Sequence, residues 1–164
     1  MKNGATIAIV PGSFDPITLG HIDIIKRAAQ MYDKVYVAVM INDQKKYLFS
    51  IDERESIARK AAKNIPNVCV ISSTGMLWQL AADLSADAIV KGYRNPTDYE
   101  YEIKMAEYNT AHNPNTKTIL LEANKNLEDI SSTTVRNMLS EGKSLKKYLP
   151  NEVEELIHKI LSTR

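Results

Sequence analysis

The sequence predicts one α/β domain over residues 1–164: a doubly wound, five-stranded parallel sheet with a C-terminal helical segment. Two observations predict it. Short apolar runs alternate with stretches of helical periodicity along the whole chain, and polar or Gly/Pro-broken turns separate them. The 164 residues, 44% hydrophobic and 25% charged, suffice for one domain with its own core and do not suggest disorder.

The elements follow in order. Ala5–Val10 is an apolar run that reads as the first strand, and Ile22, Ile25, Ala28 and Ala29 give a helical stripe within Gly20–Tyr32. Val35–Ile41 is the second strand, followed by a polar loop, Asn42 to Phe49. Ser50 with Glu53 three residues on forms a capping box that opens the second helix, which Pro66 stops after about Asn64. Val68–Ile71 is strand three, Gly75 opens a helix over Met76–Leu84, and Ala86–Val90 is strand four. A loop, Lys91–Thr97, leads to a helix from Asp98 to about Ala111, and Thr116–Leu121 is strand five. After an irregular stretch, Glu122–Ile130, Ser131 and Ser132 cap a helix to Ser140, and Pro150 or Asn151 begins a terminal helix to Leu161.

Composition narrows the function. A net charge of +1 gives no electrostatic reason for a nucleic-acid partner. No apolar run approaches the roughly 20 residues of a membrane span. The N-terminus enters its first strand without the features of an export signal, so the expected compartment is the cytoplasm. The lone cysteine, Cys69, excludes an intrachain disulfide and a cysteine metal cluster, and it is expected as a small buried filler.

Open parallel sheets bind ligands outside the carboxyl ends of their strands. Four segments of this chain lie there. The first is the turn Pro11–His21, in which Gly12 allows close backbone approach, Ser13 and Thr18 carry hydroxyls, and Gly20 and His21 sit at a helix start that favours anions. A Gly-His pair alone reads more simply as a capped turn; the density of special residues around it points to a ligand. The second segment holds Lys45 and Lys46, the third reads Lys91-Gly92-Tyr93-Arg94, and the fourth is Asp129–Arg136. Singly, these are solvated lysines, surface ion pairs to Asp98, Glu100 or Glu102, and a helix cap. Brought to one sheet edge, they are the equipment of a polyanion site, able to stabilise a phosphoryl or nucleotidyl transition state without a protein nucleophile.

Other chemistries fit poorly. The phosphate-loop motif, the Gly-x-Gly-x-x-Gly fingerprint and the Gly-x-Ser-x-Gly elbow are all missing. His112 and His158 lack metal-ligand spacing with His21, and Trp78 reads as packing. Met76 and Leu77, at the mouth of the sheet, are placed to touch an apolar part of a substrate.

Thr18-Leu19-Gly20-His21 resembles the [Thr/His]-x-Gly-His signature of the nucleotidyltransferase superfamily, and Ile130-Ser131-Ser132-Thr133-Thr134-Val135-Arg136 resembles its second signature. With Lys45-Lys46 before Phe49, Lys91-Gly92-Tyr93-Arg94 before Asp98-Tyr99-Glu100-Tyr101-Glu102, and the Tyr148-Leu149-Pro150 segment, the chain is similar over essentially its whole length to the bacterial phosphopantetheine adenylyltransferase family. The resemblance implies a Rossmann-like fold. It implies transfer of an adenylyl group from ATP, with Mg²⁺, to 4′-phosphopantetheine, giving 3′-dephospho-CoA and pyrophosphate, the penultimate step of coenzyme A synthesis. It implies direct attack, with His21 stabilising the transition state. Ser13 and Phe14 would bind nucleotide phosphate, with Ser13 also touching phosphopantetheine. Lys45 and Lys91 would hold the attacking phosphate, and Leu77 would line the pantetheine arm. Gly92, Tyr93, Arg94, Glu102 and the stretch Leu127, Glu128, Asp129, Ile130, Ser131, Ser132 and Thr133 would bind ATP. A homohexamer and feedback inhibition by CoA are further family expectations. The family usually carries Arg at the position of Lys91, where lysine keeps the charge without the planar fork. Rivals are a pyridine-nucleotide adenylyltransferase, a glycerol-phosphate cytidylyltransferase and a non-catalytic nucleotide-binding module.

Overall fold

The structure, a computed structural model, describes residues 4–164. The expectation that the N-terminus carries no export signal falls partly on residues 1–3, outside the described residues. Among the described residues the chain runs β1 (Ile7–Gly12), α1 (Leu19–Met31), β2 (Lys34–Met40), α2 (Ile51–Ala62), β3 (Val68–Ser73), α3 (Leu77–Asp83), β4 (Ala88–Tyr93), α4 (Pro96–His112), β5 (Lys117–Glu122), α5 (Ser132–Ser140) and α6 (Asn151–Ser162). The five strands form one parallel sheet in the order β3-β2-β1-β4-β5.

The alternation of strand side chains splits the core in two. One face buries Ala8, Val10, Val35, Val37, Val39 and Val90 against α1, α2, α5 and α6, through Ile25, Ile57, Val135 and Ile157. The other buries Ile9, Ala38 and Ile89 against Ala81 of α3. Helices therefore cover both faces, as the sequence predicts. The order places β1 beside β4, so the chain reverses its winding between them. Their carboxyl ends frame the crevice where open α/β sheets bind ligands.

Several boundaries differ from the sequence-based expectation. The first strand begins at Ile7 rather than Ala5, because the Thr6 amide donates to the Asp33 carboxylate (2.8 Å) instead of to a ladder. Strand four begins at Ala88 rather than Ala86, since the Ala86 amide donates to Ala81 O (2.9 Å). Lys91, Gly92 and Tyr93, expected in a loop, are the last residues of β4; they pair in register with Leu120, Leu121 and Glu122 of β5. Backbone pairing continues there past the point where apolarity stops. Asn95 caps α4 by accepting from the Asp98 amide (2.9 Å), so that helix starts at Pro96 rather than Asp98. The Glu122–Ile130 stretch contains a short 3₁₀ turn, Lys125–Leu127.

Cys69 is exposed, against the expected burial. β3 is an edge strand; Val68 and Val70 join the larger core cluster, while Cys69 between them joins neither cluster. Trp78 stacks on His112 (ring centroids 5.1 Å), the packing role expected of it. No helix among the described residues is long and apolar enough to cross a membrane.

Candidate active site

The turn after β1 is built around an unusual capping box. Thr18, buried, is the N-cap of α1, and its hydroxyl accepts from the His21 amide. The N3 position, which in such boxes ordinarily holds Glu or Gln, holds His21. Its Nδ1 accepts from the Thr18 amide at 3.0 Å. A backbone N–H can only donate, so Nδ1 is unprotonated and the neutral ring carries its proton on Nε2. Burial, and then the Arg94 guanidinium, push the His21 pKa from 6.5 down to about 4. At neutral pH His21 is therefore a cap and, at the same time, a neutral donor with Nε2–H left for a ligand.

Phe14 holds a left-handed backbone (φ 50°) while its ring is buried edge-on against His21, centroids 5.0 Å apart. Such a conformation costs a non-glycine residue about 1–3 kcal/mol, and here the buried ring anchors it. The next residue, Asp15, is also buried, and its carboxylate accepts from the Leu48 amide (2.9 Å) and the Phe49 amide (3.0 Å). It thereby ties the turn to the far end of the Asn42–Phe49 loop.

The second signature is stitched to the same turn. Ser131 caps α5 by accepting from the Thr134 amide at 3.1 Å. Ser132 Oγ donates to Pro16 O and Arg136 Nη1 to Asp15 O, both at 2.8 Å. A Cβ placed on Gly20 would lie 3.5 Å from Ile130 O. Segments more than a hundred residues apart thus form one wall. On the other side, Gly92 lies so close to α1 that a Cβ would stand 2.9 Å from Ile24 Cγ1, which lets α1 approach the end of β4.

These walls enclose a cavity of about 560 Å³, within the ~300–1,000 Å³ range of small-molecule sites. Lys45, Lys46, Lys91, Arg94 and Arg136 line it, against Asp15 as the lining carboxylate. Lys91 Nζ pairs with Glu102 at 2.7 Å and Arg94 Nε with Asp98 at 3.2 Å. The Arg94–Asp98 pair is open to water and weak enough to give way to a polyanion, whereas the Glu102 oxygen that meets Lys91 is buried, so that pair is held.

Of the residues expected at the site, Ser13, Phe14, His21, Lys45, Lys91, Gly92, Tyr93, Arg94, Leu127, Ile130, Ser131, Ser132 and Thr133 line the cavity. Glu102 reaches it only through Lys91. Leu77 packs against the second core cluster, and Glu128 and Asp129 are exposed; none of the three is in the lining. Sequence reasoning missed Tyr47 and Arg54. Tyr47 lines the cavity, and the fully buried Arg54 donates to Ser13 O (2.8 Å), Met40 O (2.9 Å) and Phe49 O (3.2 Å) beneath it. An arginine in a charged helix ordinarily reads as solvated, and a tyrosine in a polar loop carries no pattern.

Known proteins match this arrangement. The cytidylyltransferase-like family matches residues 9–138, a span holding both signatures. The chain is 44% identical over 149 residues to the phosphopantetheine adenylyltransferase of Caldanaerobacter subterraneus subsp. tengcongensis, covering 91% of this chain and 93% of that one. It is 42% identical over 153 residues to the phosphopantetheine adenylyltransferase of Clostridium tetani, covering 93% and 96%. A Vibrio parahaemolyticus crystal structure, described as a "putative nicotinate-nucleotide adenylyltransferase", superposes with a TM-score of 0.72 over 95% of this chain and 93% of that chain; at 22% identity it speaks for the fold. With a shared fold, both signatures on one cavity and relatives of this identity over nine-tenths of its length, the chain belongs to the cytidylyltransferase-like family and, within it, to the phosphopantetheine adenylyltransferases.

Proposed function

We propose that this chain transfers an adenylyl group reversibly from ATP to 4′-phosphopantetheine, giving 3′-dephospho-CoA and pyrophosphate. An oxygen of the acceptor phosphate attacks the α-phosphorus of ATP, and the new P–O–P bond forms as the bond to the β-phosphate breaks. Pyrophosphate leaves with that bonding pair. The nucleophile is already anionic, so the step needs no general base. Its obstacles are the repulsion of two polyanions and the charge gained by the α-phosphoryl oxygens in the transition state.

The observation that carries this reading is the neutral His21, with Nε2–H free, in a cavity lined by five cationic side chains and one carboxylate. His21 donates to an α-phosphoryl oxygen as charge develops, and stays neutral while doing so. Lys45 and Lys91 receive the acceptor phosphate, with Ser13 between acceptor and nucleotide. Phe14, Gly92, Tyr93, Arg94, Leu127, Ile130, Ser131, Ser132 and Thr133 belong to the ATP side, with Glu102 acting through Lys91; Leu77, Glu128 and Asp129 stand outside the lining and take no part in this reading. Lys91 keeps its contact with Glu102 and offers its remaining ammonium donors to the incoming phosphate.

Mg²⁺ belongs to this reading as the counter-ion carried by the triphosphate. The lining carboxylate, Asp15, already accepts two amide protons, so the described residues build no cage for the metal. Assembly as a homohexamer, action in the cytoplasm and inhibition by CoA complete the proposal. Pyrophosphate release tests it, with ATP against CTP and phosphopantetheine against nicotinate mononucleotide. The expected preference is ATP with phosphopantetheine; a preference for CTP or the mononucleotide overturns it.

A further inference from the structure

Lys45 is exposed on a polar loop, yet the proposed reaction needs its ammonium at a defined place in the cavity. The loop is closed on itself by one side chain. The Asn42 amide donates to the Tyr47 phenolic oxygen at 2.7 Å. The phenol in turn lies 3.4 Å from Asn42 O and 3.4 Å from Ser13 Oγ. Inside this closure Asn42 holds the rest: its side-chain carbonyl accepts from the Gln44 amide and its backbone carbonyl from the Lys45 amide, both at 3.0 Å. The backbone of Lys45 is thus held by Asn42, and Asn42 by Tyr47.

Tyr47 is itself anchored. Its ring lies 3.9 Å from the Arg54 guanidinium, a cation–π contact strengthened by burial. Arg54 forms no ion pair among the described residues. Its bonds go to the carbonyls of Ser13, Met40 and Phe49, which belong to the turn after β1, the end of β2 and the entrance to α2. These three segments border the Asn42–Tyr47 loop. The ring is consequently fixed to the backbone that carries Ser13.

We propose that Tyr47 is a positioning residue for Lys45, holding the loop closed so that the lysine meets the acceptor phosphate without a further ordering cost. Fixing a lysine chain and its loop at the moment of binding would otherwise weaken affinity. This role rests on the proposed adenylyl transfer to phosphopantetheine.

A double-mutant cycle in the full chain tests it. Y47F, K45A and the double variant are compared by KM for phosphopantetheine and kcat at saturating ATP, together with amide exchange at Asn42 and Lys45 in the ligand-free protein. Y47F should raise KM about tenfold with a smaller change in kcat, and speed exchange at both amides. The double variant should be no worse than K45A, because the tyrosine acts through the lysine. An unchanged KM in Y47F, or losses that multiply fully in the double variant, would overturn the role while leaving the function standing. A wild-type chain that does not adenylylate phosphopantetheine overturns the proposed function and this role with it.

Discussion

Acidifying the ligand-free chain should expose the environment built around His21. Its pKa is held down from 6.5 to about 4, first by burial and then by Arg94. The folded value lies below the unfolded one, so the unfolded chain takes up the extra proton first as pH falls. The stability linked to the neutral ring is intact above about pH 6.5 and is lost as pH falls toward 4. At about 1.4 kcal/mol per pH unit, that displacement amounts to about 3 kcal/mol by pH 4. H21Q is the right comparison, because glutamine is an ordinary N3 capping-box residue and keeps an acceptor for the Thr18 amide without titrating. Denaturant unfolding of both proteins between pH 7 and pH 4 isolates this one side chain, because the two chains share every other residue. Wild type should lose about 3 kcal/mol relative to H21Q across that range, and ring ¹⁵N NMR should show a neutral Nε2–H tautomer titrating near 4. A midpoint near 6.5, or a proton on Nδ1, would refute the reasoning.

Three further outcomes follow. His21→Ala should lower turnover by about 10²–10³ while ATP binding by calorimetry survives; unchanged turnover would remove His21 from the chemistry. Gly92→Ala places a Cβ 2.9 Å from Ile24 Cγ1 and 3.0 Å from Ile24 Cδ1 and should cost about 1–3 kcal/mol in denaturant unfolding, partly recovered in G92A/I24V, which removes the Cδ1 contact alone; wild-type stability in the single variant would contradict the close α1–β4 approach. Ser131→Ala removes the acceptor for the Thr134 amide at the start of α5 and should lower stability by about 1 kcal/mol, read by the same unfolding assay; no loss would mean the cap is not formed.

The alternation of apolar runs and helical stripes was enough to read the layered sheet, because both periods are imposed by burial. It was also enough to place Ser13, His21, Lys45, Lys91 and Arg94 at one edge, since parallel strands end together. Apolarity does not report where a ladder stops. Lys91-Gly92-Tyr93 reads as a loop and is strand, while Ala86 reads as strand and is not. Cys69 shows the same limit: an apolar neighbourhood does not reveal that its strand lies at the sheet edge. The groups that hold the site together were the least legible. Arg54 is buried through bonds to carbonyls 5 to 41 residues away, and the Asp15–Arg136 link spans 121 residues. Such contacts exist only once the chain has folded, and no local pattern announces them.

The central claim is that one cavity joins the acceptor phosphate directly to the α-phosphorus of ATP. Phosphorus NMR of the full chain with ATP, Mg²⁺ and 4′-phosphopantetheine tests it most directly. The account predicts that the diphosphate bridge of 3′-dephospho-CoA and free pyrophosphate rise together in equal amounts, and that adding pyrophosphate drives both back to ATP. AMP accumulating without the bridge, or no turnover while nicotinate mononucleotide is adenylylated, would contradict it.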